Sequence, residues 1–189
     1  MIDTTQLIEI RWHGRGGQGA VTSAELVAKA AINEGKYAQA FPSFGPERRG
    51  APVLAFDRIS NEQPIRVRAE VTQPDVVVVL DSGLLSIVDV TSGLKENGVL
   101  IINTKKDVKD IEAELGTKCR LATIDATKIA RELLGVPITN TTMVGALIKA
   151  SEVVKLESLL EPLKQRFEHL AERNINAMKR AYEETVIKE

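Results

Sequence analysis

The string HGRGGQGAV, residues 13–21, sets four glycines within six positions and places Arg15 and Gln18 between them. Gly14, Gly16 and Gly19 match G-x-G-x-x-G, with the apolar–polar alternation LIEIRW before them and an Ala-rich stretch of helical spacing after. In that setting the first glycine permits a tight turn and the second lets backbone N–H groups approach an anion. The third lets a helix pack closely with its positive end toward the same anion. Arg15 adds a fixed cation inside the turn, and a phosphate or pyrophosphate is the natural guest. A tight turn between strand and helix that binds nothing is the alternative these residues leave open.

A nicotinamide dinucleotide meets an obstacle. A fold of that kind carries Asp or Glu at the end of the second strand, about twenty residues past the glycines, to hold the ribose 2′-OH. Here that place reads YAQAFPSFG, without a carboxylate, and Glu34 precedes the strand. Arg48 and Arg49 lie beyond the predicted strand end, so NADP fares only slightly better. A Walker loop is excluded, since no G-x-x-x-x-G-K-[ST] string occurs.

The second constellation is FPSFGPERRGAP. Its prolines restrict the backbone, Gly45 and Gly50 permit unusual dihedrals, and Ser43, Glu47, Arg48 and Arg49 are presented on a stiffened loop. The third is ITNTTMVGAL, where Asn140 reads as a helix N-cap. His13 reads as a positioning or core histidine, because no Ser or Cys nucleophile stands beside it. Cys119, at the start of a strand, reads as buried.

These groups need elements to hold them. LIEIRWH is a strand, GAVTSAELVAKAAINEG a helix with Val21, Leu26, Val27, Ala30 and Ala31 on one face, and KYAQAF a second strand. VLAFDRIS and IRVRAEV around the turn NEQP read as an inserted β-hairpin. DVVVVLD and GVLIINT are unbroken apolar runs, as expected of parallel strands covered on both faces. DVKDIEAEL follows as a helix, CRLATIDA as a strand and TKIARELLG as a helix ending at Gly135. From Thr141 onward only helices are predicted, with a break near Pro162 and a closing helix striped by Phe167, Leu170, Asn174, Ala177, Met178, Ala181 and Tyr182. The fold class is α/β: a doubly wound, Rossmann-like, mostly parallel sheet with an inserted β-hairpin and a helical C-terminal end. Residues 1–189 form a single domain, with a ligand crevice at the carboxyl ends of the strands.

Composition narrows the classes. Apolar residues make up 43% of 189, enough for an ordinary core, and 25 Lys plus Arg against 26 Asp plus Glu give no general nucleic-acid or membrane surface. One cysteine excludes an internal disulfide framework and any four-thiolate cluster made by this chain alone. MIDTTQ is no signal peptide and no run reaches the length of a membrane span, so a cytoplasmic location is expected.

HGRGGQGAVTSAELVAKAA, FPSFGPERRGAPVLAFDRIS and ITNTTMVGAL, in that order, closely resemble gamma subunits of the 2-oxoacid:ferredoxin oxidoreductases, most of all the pyruvate-using kind (pyruvate synthase). The resemblance spans nearly the whole chain, including ERNINAMKRAYE. It implies a subunit of a complex that converts pyruvate, coenzyme A (CoA) and oxidised ferredoxin to acetyl-CoA, CO₂ and reduced ferredoxin. Thiamine diphosphate, Mg²⁺ and iron–sulfur clusters are then expected in partner subunits of alpha, beta and delta type. This chain has neither a G-D-G string with a downstream Asn for thiamine diphosphate nor enough cysteines for a cluster, so it should be inactive alone. The resemblance implies a part in CoA binding and assembly, and CoA needs no ribose carboxylate. Arg15, Gly16, Gly17, Gln18 and Gly19 are then expected on a CoA phosphate group. Ser43, Arg48 and Arg49 belong to a loop that contacts the nucleotide or a neighbouring subunit, and Asn140 and Met143 are placed near the strand-end crevice. A gamma subunit for branched-chain 2-oxoacids or 2-oxoglutarate, a structural scaffold, and a free-standing NAD(P) dehydrogenase remain as alternatives.

Overall fold

A computed structural model of the chain describes residues 7–43, 50–116 and 119–188. Strand β1 (Ile8–Arg15) is an interior strand, third in a seven-stranded sheet. Ile8, Ile10 and Trp12 face one side of it, and Arg11 and His13 the other. The other strands are β2 (Tyr37–Pro42), β3 (Pro52–Ser60), β4 (Val76–Val79), β5 (Val99–Asn103), β6 (Arg120–Ile124) and β7 (Val186–Lys188), in the order β2-β3-β1-β4-β5-β6-β7. The pairs β1–β4, β4–β5 and β5–β6 are parallel, whereas β3 and β7 run antiparallel to their neighbours. Every residue of β4 and β5 is buried, because both faces of the sheet are covered.

Helices α1 (Ala20–Asn33), α3 (Ala126–Leu134), α4 (Asn140–Ser151), α5 (Leu160–Phe167) and α6 (Ala171–Glu184) supply the core on one face, with Val76, Val78, Val99 and Ile101. Helix α2 (Val108–Leu115) and the segment carrying Leu84 and Val90 cover the other, against Val77, Val79, Leu100 and Ile102. That second face explains the polar half of β1. Arg11 donates to the carbonyls of Val90 (3.1 Å) and Ser92 (2.7 Å) and to His13 Nε2 (3.0 Å), so it anchors the covering segment to the strand. Every residue of α4 except Lys149 is buried. Gly145 lets α4 cross α6 closely: a Cβ there would stand 2.0 Å from the carbonyl oxygen of Met178.

Four expectations are corrected. The inserted hairpin is β2–β3, and residues 65–71 form no strand. Their carbonyls are met by side chains instead, Arg58 reaching Ala69 at 2.7 Å and Gln39 reaching Ile65 at 2.8 Å, so the alternation IRVR marks a pinned loop. A strand does follow Thr141, because β7 returns to pair antiparallel with β6. Pro162 does not break its helix, since it sits in the first turn of α5, where its missing N–H has no partner to lose. The break comes at Glu168 (φ 46°), followed by a 3₁₀ turn over Glu168–Leu170. Finally, Thr139 occupies the N-cap position of α4, and Asn140, the first helical residue, accepts the N–H of Thr141 at 2.8 Å.

Candidate functional site

The glycine loop connects β1 to α1. Gly17 (φ +93°) and Gly19 (φ +83°) take the left-handed backbone that other residues avoid, and Gly19 is the N-cap residue of α1. Gly14 remains in the strand, where a Cβ would press on Leu80 Cδ1 at 3.1 Å and Ala20 Cβ at 3.3 Å. The roles expected of the first and third glycines are therefore exchanged in part: Gly14 permits close packing, and Gly19 makes the turn. A Cβ on Gly19 would also stand 2.8 Å from Asn140 Nδ2. The N–H of Gly16 donates to Ala51 O at 2.9 Å, which ties the loop to the start of β3. The donors left for an anion are those of Gly17, Gly19 and Ala20 to Thr22 at the start of α1, none of which meets an acceptor among the described residues.

Arg15 and Gln18 are both engaged with Asp81, the residue that follows β4 and Leu80. Asp81 Oδ2 accepts from Arg15 Nε at 2.9 Å and from Gln18 Nε2 at 3.0 Å, and Oδ1 accepts the N–H of Gly83 at 2.8 Å. Gln18 Oε1 in turn accepts the N–H of Arg15 at 2.7 Å, and Arg15 Nη1 donates to Gly50 O at 3.2 Å. Burial pulls the Asp81 carboxyl upward, but the hydrogen bonds from Gln18, Gly83 and Arg15 and the charge of Arg15 hold it below the usual carboxylate range. The result is a latch joining the ends of two adjacent parallel strands.

Beside that latch, at the carboxyl ends of β4, β5 and β6, opens a crevice of about 530 Å³, within the range of small-molecule sites. Gln18, Asp81 and Ser82 form one wall, Asn103 to Lys106 the floor and rim after β5, and Thr127, Arg131 and Thr139 the far wall. Asn103 braces the floor: its amide donates to Leu80 O and to Thr127 Oγ1, each at 2.9 Å, and its oxygen accepts the Thr127 N–H at 3.2 Å. His13, buried behind the loop, has its pKa lowered to about 4 by desolvation and by Arg11, against a weaker pull from Asp89. It is neutral, and its Nε2 is occupied by Arg11.

Of the residues singled out from sequence, Gln18 lines the crevice, with Arg15, Gly16, Gly17 and Gly19 in the loop beside it. Asn140 lies under Gly19 and lines a second hollow of about 190 Å³ with Leu134, Val136, Ile138, Phe167 and Leu170. Segment 136–140 thus turns Pro137 and Thr139 toward the polar crevice and Val136, Ile138 and Asn140 toward the apolar hollow. Met143 is corrected: it is fully buried in the core, because α4 is covered all round. Ser43 lies off the crevice lining and donates to Glu70 at 2.6 Å. Arg48 and Arg49 lie outside the described residues. Asp81, Asn103, Thr104, Lys105, Lys106, Thr127, Arg131 and Thr139 were missed. The signal that reaches most of them is positional, since each of the runs VVVVLD, LIINTKK and ATIDAT ends a parallel strand where ligands collect.

Among the described residues no group of His, Cys, Asp and Glu is arranged to hold a metal ion, and no helix is long and apolar enough to cross a membrane.

The family model described as pyruvate ferredoxin/flavodoxin oxidoreductase matches residues 9–184. A pyruvate/ketoisovalerate oxidoreductases common subunit gamma from Thermococcus litoralis is 55% identical over 97% of this chain and 100% of its own length. The pyruvate synthase subunit PorC of Methanothermobacter thermautotrophicus is 52% identical over 94% of this chain and 96% of its own. The crystal structure of the Thermotoga maritima pyruvate oxidoreductase subunit PORC superposes with a TM-score of 0.88 at 40% identity, covering 97% of this chain and 99% of that one. The chain belongs to the pyruvate ferredoxin/flavodoxin oxidoreductase family, as a gamma subunit of a 2-oxoacid:ferredoxin oxidoreductase complex.

Proposed function

We propose that this gamma subunit binds the phosphate-bearing part of CoA for a pyruvate:ferredoxin oxidoreductase in the cytoplasm. In this reading thiamine diphosphate, Mg²⁺ and iron–sulfur clusters reside in partner subunits of alpha, beta and delta type, and ferredoxin accepts the electrons. The observation that carries it is the crevice itself: a cavity of about 530 Å³ at the strand ends, flanked by Lys105, Lys106 and Arg131 and bordered by the glycine loop at the head of α1. Backbone amides of Gly17 and Gly19, with the positive end of α1, suit a diphosphate. Arg15 positions the loop and balances the charge of Asp81 at the crevice wall.

Sheet order weighs against the nicotinamide reading as well. β3 is interposed between β1 and β2, so the end of β2, where a dinucleotide fold keeps its ribose carboxylate, lies two strands away from the glycine loop. For the 2-oxoacid, the relative named as common to pyruvate and ketoisovalerate oxidoreductases supports a division of labour in which other subunits choose the acid.

Arg15→Ala in the assembled enzyme tests the assignment. The KM for CoA rises about tenfold as the glycine loop loses its tie to Asp81 and an unpaired carboxylate is left at the crevice wall, while decarboxylation of pyruvate without CoA continues. An unchanged KM for CoA would leave the glycines as a structural turn and this subunit as a scaffold.

A further inference from the structure

The crevice holds more positive charge than the glycine loop uses. Among the described residues four cationic side chains belong to the loop and the crevice: Arg15, Lys105, Lys106 and Arg131. Arg15 is paired with Asp81, and Lys106 Nζ with Glu114 at 2.6 Å. Lys105 and Arg131 are exposed and meet no carboxylate among the described residues. Neither of the two carboxylates that line the crevice among the described residues forms an ion pair with them. Asp81 is taken up by Arg15, Gln18 and the N–H of Gly83, and Asp125 caps α3 by accepting the N–H of Lys128 at 2.9 Å.

Their supports are rigid. Lys105 stands two residues after β5 in a turn where Thr104 Oγ1 accepts the Lys106 N–H at 3.1 Å. Arg131 stands in the last turn of α3, whose start is braced to β5 through Asn103 and Thr127. The two cations therefore approach one space from separate elements, with Gln18 of the glycine loop on another wall.

A diphosphate diester and a terminal monophosphate ask for different partners. The diester carries about one charge per phosphate and suits backbone amides. A monophosphate ester carries about −1.5 to −2 at neutral pH and offers three acceptor oxygens, which suits a guanidinium fork with an ammonium beside it. Resting on the CoA reading above, we infer that Lys105 and Arg131 form a clamp for the terminal 3′-phosphomonoester of the nucleotide, so that this subunit distinguishes CoA from its 3′-dephospho form.

The test uses the assembled oxidoreductase with CoA and 3′-dephospho-CoA as alternative acyl acceptors, comparing the parent with Lys105→Ala, Arg131→Ala and Arg131→Lys. Both side chains are exposed, so the variants keep the core intact. The parent shows a KM for CoA at least about tenfold below that for the dephospho form. Each alanine variant raises the KM for CoA by about tenfold and that for dephospho-CoA by less than about twofold, with kcat preserved, and Arg131→Lys restores part of the preference. A parent that does not discriminate, or variants that shift both acceptors equally or neither, overturns the clamp. If CoA nevertheless protects residues 13–21 from hydrogen exchange, the CoA assignment stands and only the clamp fails. If that protection is missing too, both fail.

Discussion

Arg15 and Asp81 are joined across the ends of β1 and β4 by a 2.9 Å contact between Nε and Oδ2, with both side chains about a quarter exposed. Such a pair contributes about 1 kcal/mol or less to stability, so its importance lies in placement. Asp81→Ala releases Arg15, Gln18 and the Gly83 N–H together. The expected outcome is faster hydrogen exchange in the glycine loop without ligand and a KM for CoA raised about tenfold. A lowered KM would show that Asp81 restrains Arg15 rather than positions it.

Gly145 and Gly19 make different demands. At Gly145 a Cβ meets the backbone of Met178, which cannot yield without moving α6, and Gly145→Ala should lower stability by about 1–3 kcal/mol. At Gly19 the positive φ costs about 1–2 kcal/mol for any other residue, and the side chain of Asn140 adds a steric term. Asn140→Ala in the same chain removes the Nδ2 and Cγ contacts but keeps Cβ at 3.0 Å, so it should relieve some of the steric part of the Gly19→Ala defect and none of the backbone part. Urea unfolding of the single and double variants separates the two contributions.

His13 and Asp57 set opposite pH dependences. His13, lowered from 6.5 to about 4 by burial and Arg11, binds its proton more weakly folded than unfolded. Its contribution is present above pH 6.5 and is lost as pH falls toward 4, about 2 kcal/mol between pH 7 and pH 5. His13→Gln, which keeps an acceptor for Arg11, should remove that loss.

Asp57 is fully buried beneath α1 on the Trp12 face, and burial pushes its pKa well above 3.8 despite the 2.7 Å bond from Trp12 Nε1. A raised carboxyl stabilises the fold below its unfolded pKa, and that stability is lost as pH rises through the folded value. Asp57→Asn keeps the acceptor for Trp12 and should flatten the decline. The two contributions have slopes of opposite sign, so His13→Gln and Asp57→Asn should change the pH dependence of stability in opposite senses. Urea midpoints taken from pH 4 to 8 check both.

The sequence made the alternation of strands and helices legible because VVVV and VLIIN can be nothing but covered strands and because Gly35 and Gly135 stop their helices by φ near +80°. The alternation in residues 65–71 does not make a strand because the carbonyls of Val67 and Ala69 are met by Arg58, nine and eleven positions away, a reach that no local pattern records. β7 was missed because three residues, VIK, have no periodicity, and only the open edge of β6 makes them a strand. At the site, the glycine loop announced itself through composition. Asp81, Asn103 and Arg131 did not, since each is an ordinary residue that matters only because parallel strands end side by side. Met143 failed for the converse reason: a motif residue can belong to the helix that carries a site and point into the core.

Hydrogen exchange of the purified complex, with and without CoA, reads out whether CoA occupies the space between the glycine loop and the far wall of the crevice. Occupancy by CoA slows exchange across residues 13–21, centred on the N–H groups of Gly17, Gly19 and Ala20 to Thr22, and that protection is lost in Arg15→Ala. A complex that forms acetyl-CoA while exchange in these residues stays unchanged would contradict it.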